Sequence, residues 1–352
     1  MISQAKLNLE NIRKRQRLFF VILALIMLIL FFADIIFGSV KIDIEDVLRS
    51  FTGKTGDVSE SIILGFRIPK ALTAMLAGIA LAVSGLQMQT VFRNPLAGPY
   101  VLGISSGASL GVAVVMLGFS SCFSAGSIKI LGNWMIAVSA WVGAGLLMLL
   151  IMVISSRIKD IMVVLIIGIM LSGGISAIVT IMQYFSHESV LKAYIVWTMG
   201  SLGNLTGQQL LIFSGSVVAG ILLSILSVKM LNALVAGETY ARSIGLNVKV
   251  SRIIIFTATT ILTGSVTAFC GPIAFIGIAV PHITRFLFRT ADHKILIPGT
   301  ILSGGAVMLA SDLISQIPGS DLVLPVNSVT SIIGIPVVIW VIIRNRRFQE
   351  NQ

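Results

Sequence analysis

The sequence predicts an all-α polytopic membrane protein with about ten transmembrane helices. Three observations carry this expectation. Apolar runs longer than about 18 residues recur from one end of the 352-residue chain to the other. Only 11% of residues are charged while 56% are hydrophobic, and mean hydropathy is +1.01, too apolar for a water-soluble domain. Cations are also distributed unevenly. With the N-terminus placed inside, Lys41, Arg49, Lys54, Arg67, Lys70, Lys129 and Lys192 fall on the outer side, and the other eighteen of the 25 Lys and Arg fall on the inner side. That asymmetry follows the positive-inside rule and puts both termini in the cytoplasm. It also accounts for the net charge of +11 through contact with anionic lipid and cytoplasmic partners, without nucleic acid.

In chain order the spans are expected near residues 18–38, 69–92, 99–118, 133–155, 161–185, 208–228, 253–270, 273–288, 295–314 and 327–343. The first, "LFFVILALIMLILFFADIIFGSV", follows a basic cluster at Arg13, Lys14, Arg15 and Arg17. It is too long for a secretory h-region and lacks a small-x-small cleavage site, so it reads as an uncleaved span. The outer segment Lys41–Ser61 places Ile44, Val47, Leu48 and Phe51 at helical spacing, which suggests a short amphipathic helix. "RNPLAGPY" (93–100) and "CGPIAFIGIAVPHITRF" (270–286) each set a proline where one span gives way to an unusually short next one. These breaks lie five spans apart, so equivalent helices run in opposite directions, a weak inverted repeat. The stretch 186–209 is amphipathic and too short to span. Inner residues 228–252 form a polar helical stretch broken by Gly237 and Gly245. Connections elsewhere are short, leaving one transmembrane domain over 1–352 and no soluble catalytic domain.

Two motif-like stretches are set aside on physical grounds. "FTGKTG" resembles the end of a P-loop, but Leu48 stands where the first glycine is needed and no strand precedes it. Gly103-Ile104-Ser105-Ser106-Gly107 spells the G-x-S-x-G of a nucleophile elbow, which needs a strand–turn–helix and a converging histidine and acid. Here the surroundings read as a membrane helix, in which Gly103, Gly107 and Gly111 form a flat helix-packing face. An intramembrane serine hydrolase using Ser105 or Ser106 with His282 is the enzyme alternative. Apart from Asp34 and Asp312 near span ends, no ionisable group lies mid-span, which argues against an ion-coupled secondary transporter. Cys122 and Cys270 fit neither a metal site nor a disulfide framework, and their pairing is open.

Four stretches in order, "GLQMQTVFRNPLAGPYVLGISSGAS", "AGETYARSIGL", "GPIAFIGIAVPHITRF" and "LPVNSVTSIIGIPVVIW", resemble the FecCD-type permease subunit of binding-protein-dependent ABC importers for iron-siderophores, haem and cobalamin. The resemblance spans nearly the whole chain. It implies a type II importer permease in the bacterial inner membrane, a homodimer or close heterodimer, two cytoplasmic ATPase subunits and a periplasmic or extracellular substrate-binding protein. ATP and Mg would sit on the ATPase chains, with no catalytic residue, metal site or cofactor in this one. A ferric siderophore or haem is the first expected cargo, cobalamin the alternative.

The family's positions carry over residue by residue. Gly237, Glu238, Ala241, Arg242 and Gly245, within a segment over 229–250, match the helices that couple to the ATPase. Asn94, Pro95 and Leu96 match a cytoplasmic gate, with Asp160, Ile161 and Met162 as its neighbour. Arg67 and Lys70 match cations that grip the binding protein, although lysine lacks the bidentate fork of arginine. Ser172, Ser176, Thr180, Gln183 and Tyr184 on the fifth span, and Asn327, Ser328 and Ser331 on the tenth, would line a weakly polar pathway. The chain departs from the pattern at Gly98, Gln316, Val323 and Asn327.

Overall fold

The computed structural model describes residues 2–37, 58–118, 125–158, 160–203, 205, 207–316 and 323–349. Among these every regular element is helical. The expected segment with Ile44 to Phe51, and Cys122, lie outside the described residues; Cys270 is a free, buried thiol. The helices are α1 (Ile2–Ile36), α2 (Ile68–Val91), α3 (Ile104–Ala113), α4 (Ala125–Arg157), α5 (Ile161–Tyr184), α6 (Glu188–Thr198), α7 (Gly207–Leu226), α8 (Val228–Val235), α9 (Glu238–Ser243), α10 (Val248–Cys270), α11 (Ile276–Phe288), α12 (His293–Ser315) and α13 (Val326–Gln349). A helical turn, Val58–Ile62, and a π-turn, Ile63–Arg67, lead directly into α2. Among the described residues seven helices are long and apolar enough to cross a membrane, and three shorter apolar helices complete the ten expected spans. The protein is therefore a multi-pass membrane protein.

Local chemistry sets the helix boundaries. Asp160, Asn247 and Asp292 each take an extended conformation and accept a first-turn amide with the side chain, starting α5, α10 and α12. At the end of α9 the Leu246 amide donates to the Ala241 carbonyl and the Gly245 amide to Arg242, with Gly245 at φ +86°. This is the Schellman arrangement, which needs a residue without Cβ at the left-handed position.

The packing carries the expected inverted repeat. Exchanging α1 with α7, α2 with α10, α3 with α11, α4 with α12 and α5 with α13 turns most of the observed packings into one another. Thus α2 on α12 corresponds to α10 on α4, α3 on α4 to α11 on α12, α2 on α11 to α10 on α3, and α3 on α5 to α11 on α13. Helices α2 and α10 pack on each other at the centre. Their most apolar windows are 83% and 72% buried, against 22% for α5. Helix α5 consequently forms an edge, with Met170, Ile178, Ile181 and Tyr184 exposed.

Small residues allow the close approaches. A Cβ on Gly78 would lie 2.2 Å from the Gly304 carbonyl oxygen, so α2 and α12 touch backbone to backbone. The third span corrects the sequence expectation in one respect. It is not a single helix over 99–118: a 3₁₀ turn, Pro99–Leu102, ends at Gly103 with φ +76°, and α3 begins one residue later. Gly103 is a left-handed hinge packed against Ser172 and Leu147, while Gly107 and Gly111 lie against the α4 backbone at Gly143 and Ser139.

Candidate coupling and gate site

Helices α8 and α9 form a hairpin at one end of the bundle, hinged at Gly237 with φ +105°. The same end holds the start of the first span and the end of the last, since Phe19 and Phe20 pack on Phe288, and Trp340 on Phe286.

Two polar systems anchor the hairpin. Asn232 of α8 accepts from the backbone amide of His293 and contacts His293 Nδ1, both at 2.8 Å, and its amide donates to Asp292 Oδ1 at 2.7 Å. The other ring nitrogen of His293 meets Thr90 Oγ1 of α2 at 2.8 Å. One buried imidazole therefore ties α8, α12 and α2 together. Burial alone would raise the Asp292 carboxyl, but the Lys294 amide, the Asn232 amide and the neighbouring cations hold it below the ordinary aspartate value. The second system centres on Glu238 of α9. It is paired with Arg242 at 3.5 Å and with the buried Arg252 of α10, whose guanidinium also donates to the Ile158 carbonyl at 3.3 Å. Arg252 thus joins α9 to the connection between α4 and α5, beside Asp160, Ile161 and Met162.

The Asn-Pro break lies next to this seat. Arg93 takes a left-handed conformation at φ +47°, and its guanidinium stands 3.5 Å from where a Gly237 side chain would be. Asn94 Oδ1 accepts the Leu96 amide at 2.9 Å, closing a tight turn. The chain then runs along α11: the Pro95 carbonyl meets His282 Nε2 at 2.7 Å, Gly98 lies against Ile278, and Pro99 against Gly277. Tyr100 donates to the Ile273 carbonyl and accepts the Ile273 amide at 3.2 Å. Gln89 adds a bond to the Ile278 carbonyl at 3.1 Å and accepts from Arg285. Tyr100 of the first break therefore satisfies both backbone groups of Ile273 in the second, and His282 of α11 meets the Pro95 carbonyl, so irregular backbone is bonded inside protein, which is where a membrane tolerates it. His282 is engaged with Pro95, not with a serine.

The remaining candidates fall into two groups. On α5, Ser176, Thr180 and Tyr184 lie on the exposed side, while Ser172 and Gln183 are half-buried. The Ser172 and Thr180 hydroxyls bond their own helix, to Gly168 and Ser176. On α13, Ser328 is exposed, Ser331 bonds the Asn327 carbonyl, and Asn327 Oδ1 accepts the Ala274 amide at 3.0 Å, holding the second break in place. At the opposite end of the bundle Arg67 is buried and donates to the Ile35 and Ile36 carbonyls at 2.8 and 2.7 Å, capping α1. Lys70 pairs with the buried Asp312 at 2.9 Å, and Gln316 bridges Asp312 and Asp34. The charged ends of both cations point into the bundle in this conformation, not toward a surface.

Sequence reading did not single out Asn232, His293, Thr90, Gln89, Arg285 or Tyr100. An asparagine on an amphipathic helix and an Asp-His start to a span were available signals, but their meeting depends on pairings across 61 and 203 residues.

An all-helical membrane bundle with two interrupted spans related by an inverted repeat, and a glycine-hinged hairpin seated at one end, defines the permease class of ABC importers. The chain belongs to the FecCD transport family, whose profile matches residues 26–344. It is 33% identical to the hemin transport system permease of Yersinia pestis over 96% of this chain and 98% of that one. It is 35% identical to the vitamin B12 import system permease of Klebsiella pneumoniae over 80% and 82%. A solved ABC transporter assigned to the metal-chelate type, in an inward-facing conformation, superposes with a TM-score of 0.79 at 26% identity, over 92% of this chain and 98% of that one.

Proposed function

We propose that this chain is the membrane permease subunit of an ATP-driven importer that receives an iron chelate, a ferric siderophore or haem, from a substrate-binding protein and releases it into the cytoplasm by alternating access. The observation that carries the reading is the α8–α9 hairpin, a polar glycine-hinged unit fastened by Asn232–His293–Thr90 and Glu238–Arg252–Ile158 to α2, α12 and the connection between α4 and α5. Such a unit transmits a push at one end to the helices beside the Asn94–Pro95–Leu96 turn. In this reading the hairpin end is cytoplasmic and docks on an ATPase subunit, one of two separate chains that bind ATP and Mg in the importer. The exposed apolar face of α5 supports a second copy as partner, with the pathway between copies lined from α5 and α13.

Cobalamin is the second reading, favoured by the similarity to the vitamin B12 permease. The test is uptake into proteoliposomes holding the chain, its ATPase and its binding protein, with haem, ferric siderophores and cobalamin offered in turn. ATP-dependent uptake of an iron chelate that survives collapse of ion gradients supports the proposal. Uptake that needs the gradient, or cobalamin as the sole cargo, overturns it in favour of the corresponding alternative.

A further inference from the structure

At the hairpin end a cavity of about 320 Å³ lies between the end of α4 and the start of α10. Arg157, Arg242, Lys249 and Arg252 line it, and no carboxylate is among its described lining residues. Glu238 pairs with Arg242 and Arg252 from behind, leaving the pocket with a net positive charge. The first turn of α10, at Val248 and Lys249, adds the positive end of a 23-residue helix. An independent observation points to a ligand. Ser155 is only 5% exposed, lines this cavity, and its hydroxyl has no hydrogen-bond partner among the described residues. A buried orphan hydroxyl is costly unless something supplies the missing bond.

Smaller spaces follow along the same helices toward the apolar zone. A narrow cleft shares Ser155, Ser156, Lys249 and Arg252 with it and leads to Met152, Ile253 and Phe256. Further along the same two helices, α4 and α7 both pack on α10 and leave a cavity of about 220 Å³ between them, with Trp141 and Ala144 on one wall, Ser216 on the other and Thr260 and Gly264 at the floor. From Ser155 to Trp141 is fourteen residues of helix, roughly 21 Å. One leaflet of hydrocarbon is about 15 Å deep. A basic pocket at the water boundary, followed along the same helices by a cleft of about 10 Å³ and then by a separate apolar hollow, makes an interrupted furrow with the charge and span of an anionic phospholipid.

We propose that this furrow is a specific site for an anionic phospholipid of the inner leaflet. Arg157 and Lys249 hold the phosphate, Ser155 donates to it, and one acyl chain lies between α4 and α7 over α10. The orientation rests on the permease reading, but the binding itself needs only this chain. The test uses the full-length chain, delipidated in mild detergent and titrated with phosphatidylglycerol or phosphatidylcholine under native mass spectrometry. One phosphatidylglycerol should remain bound under conditions that strip phosphatidylcholine. The double variant Arg157→Gln/Lys249→Gln should weaken retention by about thirtyfold, the loss of two interfacial cations. Both residues are exposed, so its lipid-free melting should match the parent and exclude misfolding. Gly264→Leu, which fills the furrow where a Cβ meets nothing closer than 3.7 Å, should weaken retention with the cations intact. Equal retention of the two lipids, unchanged retention in the double variant, or displacement of phosphatidylglycerol by millimolar inorganic phosphate overturns the proposal. Failure of the transport assay would leave this readout untouched, so the two readings fail separately.

Discussion

Arg252 and His293 show how a single side chain can fasten elements that are far apart in sequence. The Arg252 guanidinium is buried against Glu238 and the Ile158 carbonyl, so truncating it strands a partly buried carboxylate and frees the α4–α5 connection. Arg252→Ala should cost about 1–3 kcal/mol, below the range for a fully buried pair because Glu238 remains 21% exposed. If the coupling reading holds, ATP hydrolysis should continue while uptake falls at least about tenfold; a variant that loses both in proportion would point to misassembly. Asp292 gives a pH-dependent prediction. Its folded-state value is depressed, so its contribution is present above the unfolded aspartate value of about 3.9 and disappears as pH falls through the lower folded value. Asp292→Ala should therefore lower the melting temperature at neutral pH, by about 1 kcal/mol of lost cap. The gap to the parent should close below about pH 4. A gap constant from pH 7 to 3 would mean the carboxylate charge contributes nothing.

At the scale of elements, backbone contact decides which substitutions matter. A Cβ on Gly107 would lie 2.6 Å from the Gly143 carbonyl oxygen, so Gly107→Leu must push α3 away from α4. Overpacking of this kind costs about 1–3 kcal/mol, and thermal unfolding in detergent should report it. Ser105→Ala should leave melting and uptake near the parent values, because His282, the candidate partner of that hydroxyl, is engaged with the Pro95 carbonyl; the opposite pattern would revive a hydrolase. The ten spans and the hairpin broken at Gly237 and Gly245 were legible in the sequence, because hydrophobic run length and glycine or proline punctuation act locally. The split of the third span at Gly103 was not. A glycine four residues before another also fits a continuous packing face, and only its φ of +76° and its contact with Ser172 distinguish a hinge.

At the scale of the whole molecule, the inverted repeat brings the two breaks together, so that Tyr100 of the first bonds the Ile273 backbone of the second and Asn327 bonds Ala274. Asn327 should therefore be less tolerant than its exposed neighbour Ser328. Asn327→Ala removes the acceptor for the Ala274 amide and should loosen the 271–275 segment, read as faster hydrogen exchange there, while Ser328→Ala should leave it unchanged. Equal exchange in both variants would sink the idea that Asn327 holds the break. The sequence by itself determined the membrane class, the number and order of spans, the breaks and the polar hairpin, since these follow from composition and spacing along the chain. Only the tertiary structure decided that Arg67 caps α1, that Lys70 is spent on Asp312, that His293 joins three helices and that a basic pocket opens between α4 and α10. Each depends on which surfaces of distant helices meet, and hydrogen bonds across as many as 282 residues have no local signal in the sequence to announce them.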